Sequence, residues 1–417
     1  MPPPPPTIAA TPRAESAHAA PATQTGAAAL LLNVAHAIDH LMLLVFATAV
    51  GAIAADFGVG RWEDLMPYAA GAFVLFGLGS LPAGRLGDLW GRRAMMLVFF
   101  FGIGASSLLV ATTQSPWQLA AALTVLGAFA AIYHPVGIPM LVQGAERPGR
   151  VIGVNGLAGN LGIALAALST GFLVKYFGWR TAFVVPGLAS IACGAAFALV
   201  APRESSPPSK RAPRQLDLPP SVLARVLVVL TLTSTCGSLI FNFTTNGNGE
   251  LLRERLAAVT RDPATLGVLL ASVYAVASLA QVVVGRLIDR YPLKRLYLGI
   301  VAMQVPLFVL AARADGWALY ALALAFMAFV FGAIPFTDAL IVRYVDDRMR
   351  SRVAGVRLAI AFGISALAVW ALGPVVKASG FDFLLALLAV IAACAAVAVL
   401  GLPARAPAPL PARPPSP

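Results

Sequence analysis

Gly84-Arg-Leu-Gly-Asp-Leu-Trp-Gly-Arg-Arg93 is a short charged turn between two long apolar runs, and Gly285-Arg-Leu-Ile-Asp-Arg-Tyr-Pro-Leu-Lys294 repeats its outline 201 positions later. A charged decapeptide between apolar runs of helical length reads as a loop joining two membrane spans. Its recurrence reads as an internal duplication. Four more identities follow without a gap at an offset of 202: Gly153 with Gly355, Gly171 with Gly373, Lys175 with Lys377, and Gly178 with Gly380.

The rest of the chain suits that reading. Of 417 residues, 59% are hydrophobic and 12% charged, against about 25% charged in soluble domains. Mean hydropathy is +0.82, so water is not the main solvent. An apolar helix of about 20 residues crosses a bilayer. Windows of that length predict twelve spans, near 27–55, 66–83, 94–112, 117–142, 151–174, 181–201, 222–245, 264–284, 296–312, 317–342, 354–376 and 383–402. They group into halves at 27–202 and 221–402, flanked by Pro- and Ala-rich tails at 1–26 and 403–417 and joined by a Pro/Ser/Arg linker at 203–220. Such tails and linkers bury too little surface to fold, and the first 26 residues lack the pattern of a secretory signal.

The net charge of +12 raises the question of nucleic acid, which would demand one basic patch interleaved with aromatics. The basic residues are instead dispersed through short loops, so no nucleic-acid partner is expected. With both termini in the cytoplasm, 22 of the 30 Lys and Arg fall on that side. Arg61, Lys175, Arg180, Arg253, Arg255, Arg261, Arg313 and Lys377 are left outside, which satisfies the positive-inside rule at every span. In a bacterium this predicts a multi-pass protein of the inner (plasma) membrane. Cys193, Cys236 and Cys394 all lie in spans without metal-ligand spacing and read as small packing residues.

Ionisable groups inside a membrane are costly, so each one is a functional candidate. In span 1, Asn33, His36, Asp39 and His40 are spaced by three and four, which places them on one helical arc of roughly 120°. An imidazole beside a carboxylate can exchange a proton near neutral pH; the same groups can also act as static hydrogen-bonding glue between helices. Span 4 adds Tyr133-His134-Pro135, whose proline frees a carbonyl to line a cavity. Span 5 adds Asn160. In the second half, Asn242, Thr245 and Asn246 of span 7 and Tyr274 and Gln281 of span 8 offer neutral donors and acceptors, suited to an uncharged or zwitterionic substrate. Asp338 in span 10 lies close enough to the following basic loop to pair with Arg343 or Arg357 as a gating ion pair. Neither a phosphate-cradling nucleotide motif nor a multi-histidine box occurs, so no enzyme activity, resident metal or cofactor is expected.

In position and in its Gly-x-Leu-x-Asp-x-x-Gly-Arg-Arg pattern, Gly84–Arg93 resembles the signature between spans 2 and 3 of the major facilitator superfamily. The resemblance covers nearly the whole chain outside the tails. It extends to the loop from Glu146 to Arg150, the loop from Asp346 to Arg352 and the Gly178-Trp-Arg180 turn. It implies two six-helix bundles related by an axis along the membrane normal, a substrate site near the midplane between them, and a protein working as a monomer. It also implies that Asp88, with Gly84, Gly91, Arg92 and Arg93 around it, latches the cytoplasmic side shut. Asp289 would do so more weakly, because Pro292 and Leu293 stand where the first copy has Gly91 and Arg92.

Ala35-His36-Ala-Ile-Asp39-His40, Ile132-Tyr-His-Pro135 and Gly159-Asn-Leu-Gly162 are similar to the fosmidomycin-resistance-type drug exporters, with Val136 where that branch tends to carry an acid. The antiporter signature of span 5 is present in part, as Gly162 and Gly171, with Ala166, Ala167 and Thr170 replacing its other small residues. The expected function is a secondary transporter of a small molecule, proton-coupled through His36, Asp39 and His40, with export favoured over uptake. A transporter of a metal ion or chelate using His36, His40 and His134, and a non-transporting sensor or scaffold, remain as alternatives.

Overall fold

A computed structural model describes residues 26–143, 145, 147–202, 220–345 and 347–403. Most of both tails, most of the linker, Glu146 and Asp346 lie outside them, as do the side chains of Arg348, Arg350 and Arg352. Every long element is a helix. Eleven helices are long and apolar enough to cross a membrane, and the last, Asp347–Leu400, leaves helical geometry at Gly380 (φ 74°). That break separates spans 11 and 12, so the described chain contains the twelve predicted crossings.

The span boundaries follow from local chemistry. Gly91 between spans 2 and 3 (φ 91°) and Gly178 between spans 5 and 6 (φ 83°) hold positive φ, a region that side chains other than glycine's disfavour. Spans 4 and 8 begin in the same way. Ser115 accepts from the Gln118 N–H with Pro116 following, and Asp262 accepts from the Thr265 N–H with Pro263 following. A side-chain oxygen satisfies a free amide while proline at the first helical position has none to satisfy. Within span 4, Pro135 cannot donate to the helical ladder, and the backbone widens into a π turn at Tyr133–Gly137. Span 7 differs from expectation. Its helix, Pro220–Arg255, runs ten residues past the predicted end at 245 and carries Glu250 into a buried position.

The packing obeys the duplication. Spans 1 and 5, 2 and 4, and 3 and 6 pack together, and spans 7 and 11, 8 and 10, and 9 and 12 repeat those pairings. Asn242 of span 7 donates to Ser365 of span 11, and Lys294 of span 9 donates to the Leu400 carbonyl of span 12. Between halves, span 5 packs on span 8 and span 2 on span 11, the contacts a two-fold arrangement requires. With little hydrophobic drive between helices in lipid, small residues set how closely they approach. A Cβ on Gly162 of span 5 would run into the Ala37 carbonyl of span 1.

The Gly84–Arg93 turn marks one face of the bundle, called here the basic face. Span 5 ends and span 8 begins on the opposite face.

Candidate functional site

The residues predicted on the arc of span 1 meet span 4 and span 5 in one cluster inside the bundle. His36 is the hub. Its Nδ1 lies 2.8 Å from the Asn155 carbonyl oxygen of span 5. A carbonyl only accepts, so Nδ1 carries the proton and the Nε2 lone pair is free; Nε2 is buried without a hydrogen-bond partner. The His36 ring stacks on Tyr133 at 4.7 Å and meets His40 and His134 edge-on at 4.7 and 5.1 Å. Gly159 makes this possible, since a Cβ there would lie 2.6 Å from the imidazole.

Asp39 is 0% exposed, and neither of its oxygens has a hydrogen-bond partner. His134 Nε2 lies 3.6 Å from its Oδ2. A buried carboxylate left alone costs several kcal/mol. Asp39 and His134 together therefore hold at least one proton, as acid plus neutral imidazole or as an ion pair. Nitrogen atoms of His36, His40 and His134 lie within 4.8 Å of one another, so the same cluster offers three ligands of a kind transition metals accept. Phe76 of span 2 and Phe362 of span 11, in contact at 4.6 Å, cover His134 from the two halves.

Asn155, which the sequence reading passed over, organises the cluster. It donates to Asn33 Oδ1 at 3.0 Å and to the Tyr133 hydroxyl at 2.7 Å, and that hydroxyl donates to the Leu32 carbonyl. An amide one helical turn before Gly159 in an apolar run was the available signal. Asn160 and Gln281, predicted separately, hydrogen-bond to each other across the halves.

The predicted polar set of span 7 is arranged differently. Asn242 bonds Ser365, Asn246 bonds the Asn242 carbonyl, and Tyr274 donates to the Thr245 carbonyl. All are buried, with these groups taken up by helix packing in the second half.

On the basic face, Asp88 and Asp289 are exposed, with no hydrogen bond or ion pair among the described residues. Arg93 donates to the Ala198 and Ala201 carbonyls at the end of span 6, and Lys294 makes the equivalent contacts to Leu400 and Leu402 at the end of span 12. Arg92 bonds Gln143 at the end of span 4. These cations thus tie spans together within each half. Gly84 packs against Pro135, at 3.3 Å from a built Cβ. Asp338 pairs with Arg357 at 3.1 Å, also within one half; Arg357 further bonds Thr337.

A cavity of about 520 Å³ lies between the halves near the opposite face, away from the histidines. Two buried acids line it, one from each half. Glu63 is paired with Arg61 at 2.5 Å, and Glu250 with Arg253. The longer span 7 helix created this feature, and the predicted end at 245 concealed it.

Residues 32–251 match the family model described as Major Facilitator Superfamily. The chain is 31% identical over 157 residues to a Streptomyces coelicolor protein named "Probable actinorhodin transporter", covering 36% of this chain and 27% of that one. It is 32% identical over 127 residues to a puromycin resistance protein of Streptomyces alboniger, covering 29% and 25%. The matches thus span about a quarter of those relatives' lengths. Among solved structures, a bacterial homologue of the human lysosomal transporter Spinster, inward-facing and occupied, superposes with a TM-score of 0.69 at 15% identity. That superposition covers 90% of this chain and 93% of the homologue.

Proposed function

The chain belongs to the major facilitator superfamily of membrane transporters, and on that footing we propose that it exports a small molecule by proton antiport through alternating access. The distribution of Lys and Arg supports a cytoplasmic basic face with both termini on that side. A bacterial inner membrane and a monomer fit this reading.

One observation carries the proton: the fully buried Asp39, its oxygens free of hydrogen bonds, 3.6 Å from His134. A carboxyl so placed can take up or release a proton when its surroundings change polarity, and rocking of the two halves would make that change. His36 and His40 extend the relay along span 1. Export is supported by relatives named for transport and resistance. Phe76 and Phe362, one from each half beside His134, form the apolar wall a substrate meets.

A resistance and metabolite screen of cells with and without the protein identifies a substrate, which is then assayed in proteoliposomes. An imposed pH gradient is expected to drive its flux, and Asp39→Asn to lose that drive while substrate-exchange counterflow persists. Full gradient-driven transport by the mutant would refute the assignment.

The three imidazoles within 4.8 Å favour a second reading, in which the cargo is a transition-metal ion or its chelate. In the same vesicles, zinc flux that ceases in His36→Asn would select it.

A further inference from the structure

The identities at an offset of 202 have a shared spatial role that the transport reading leaves unused. We infer that the repeated Gly-x3-Lys-x2-Gly segment, Gly171–Gly178 in span 5 and Gly373–Gly380 in span 11, is a two-part gate on the outer face. In each copy the first glycine and the lysine close on the lead-in to a span of the other half. "Outer" rests on the orientation proposed above.

In the first copy, Lys175 pairs with Asp262 at 2.7 Å. A Cβ on Gly171 would lie 2.6 Å from the Pro263 carbonyl oxygen and 2.9 Å from Gly267 Cα. In the second copy, Lys377 pairs with Asp64 at 2.5 Å, and a Cβ on Gly373 would run into the Glu63 carbonyl and lie 3.1 Å from Met66 Cβ. Asp262 opens span 8, and Asp64 lies in the short turn that leads into span 2. Spans 5 and 11 are equivalent in the duplication, as are spans 2 and 8. The two clamps are therefore one device built twice about the pseudo-two-fold axis.

Each lysine stands one turn before the positive-φ glycine that ends its helix, Gly178 or Gly380, where a cation also suits the helix dipole. Each glycine stands one turn further in and brings backbone against backbone. Among the described residues, Lys175–Asp262 and Lys377–Asp64 are the ion pairs that join the halves; the others lie within one half. Trp62 stacked on Phe381 at 6.1 Å closes the second clamp from the side. Behind the first lies the Glu63/Glu250 cavity, with the Thr170 hydroxyl on its wall, 1% exposed and without a partner. Opening outward requires both clamps to part.

The test places a probe behind the clamp. Thr170→Cys in a background with the three native cysteines replaced by alanine is labelled with a membrane-impermeant maleimide, in intact cells and in inverted vesicles. The clamped protein should label slowly. Lys175→Ala or Lys377→Ala alone should speed labelling of intact cells about threefold, and both together about tenfold, the scale expected of half-exposed ion pairs. Exchanging the second pair, Lys377→Asp with Asp64→Lys, should return the slow rate, since Asp64, unlike Asp262, caps no helix. Unchanged labelling in the double variant overturns the inference, as does an exchanged pair that labels as fast as the single variant. Acceleration confined to inverted vesicles would keep the gate and overturn the proposed orientation.

Discussion

At the scale of single residues, the cluster depends on what does not touch His36 as much as on what does. Gly159 leaves the space its ring occupies, and Asn155 fixes its tautomer. Gly159→Ala would place a methyl carbon 2.6 Å from the imidazole and must displace it, an overpacking cost of about 1–3 kcal/mol. The expected outcome is a protein that inserts and binds substrate but has lost gradient-driven flux, read as a drop in antiport with counterflow retained. The arc of Asn33, His36, Asp39 and His40 was legible because helical spacing alone places those side chains together. Asn155 was not, because its role exists only where span 5 crosses span 1. The same holds for Glu63 and Glu250, whose partners are near in sequence but whose burial is imposed by the opposite half.

At the scale of elements, the helix ends set what each face can do. Asp262 pairs with Lys175 and caps span 8 through the hydroxyl and N–H of Thr265, and these contacts, Lys175 foremost, hold its carboxyl below the usual carboxylate range. Arg261, its neighbour in sequence, is also charged, and Lys175 lies over the uncharged ring of Tyr176. A lowered value in the closed form means the pairing is fully present above the ordinary carboxylate pKa of about 3.9. It is lost only as pH falls through the lowered value. Thr170→Cys labelling should therefore be flat from pH 5 to 8 once corrected for thiolate reactivity, and rise below pH 4. A rise near pH 6 would mean that the histidine cluster, and not Asp262, controls the outer clamp.

Across the whole molecule, Lys175–Asp262 and Lys377–Asp64 are paired between the halves while Asp88 and Asp289 stand exposed on the basic face. A rocker closed on one side and released on the other is expected to look this way, so Asp88 would find its partner when the basic face shuts. The two turns differ in backbone. Gly91 takes φ 91° while its counterpart Pro292 sits at −59°, so only the first presents the tight turn before its helix. Asp88→Asn is expected to slow transport about tenfold, about 1.4 kcal/mol or no more than one charge-assisted hydrogen bond, and Asp289→Asn less than about threefold. Equal losses in initial flux would refute the asymmetry.

By itself the sequence determined the span count, the duplication, the family and the polar arc of span 1, because hydropathy, charge and helical period are properties of local sequence. Tertiary structure alone decided that Asn160 meets Gln281, that the polar face of span 7 is spent on packing, and that Lys175 and Lys377 each pair with an aspartate of the other half. Those outcomes depend on which helices pack together and how closely, and in this bundle glycines far in sequence from their contacts set that approach.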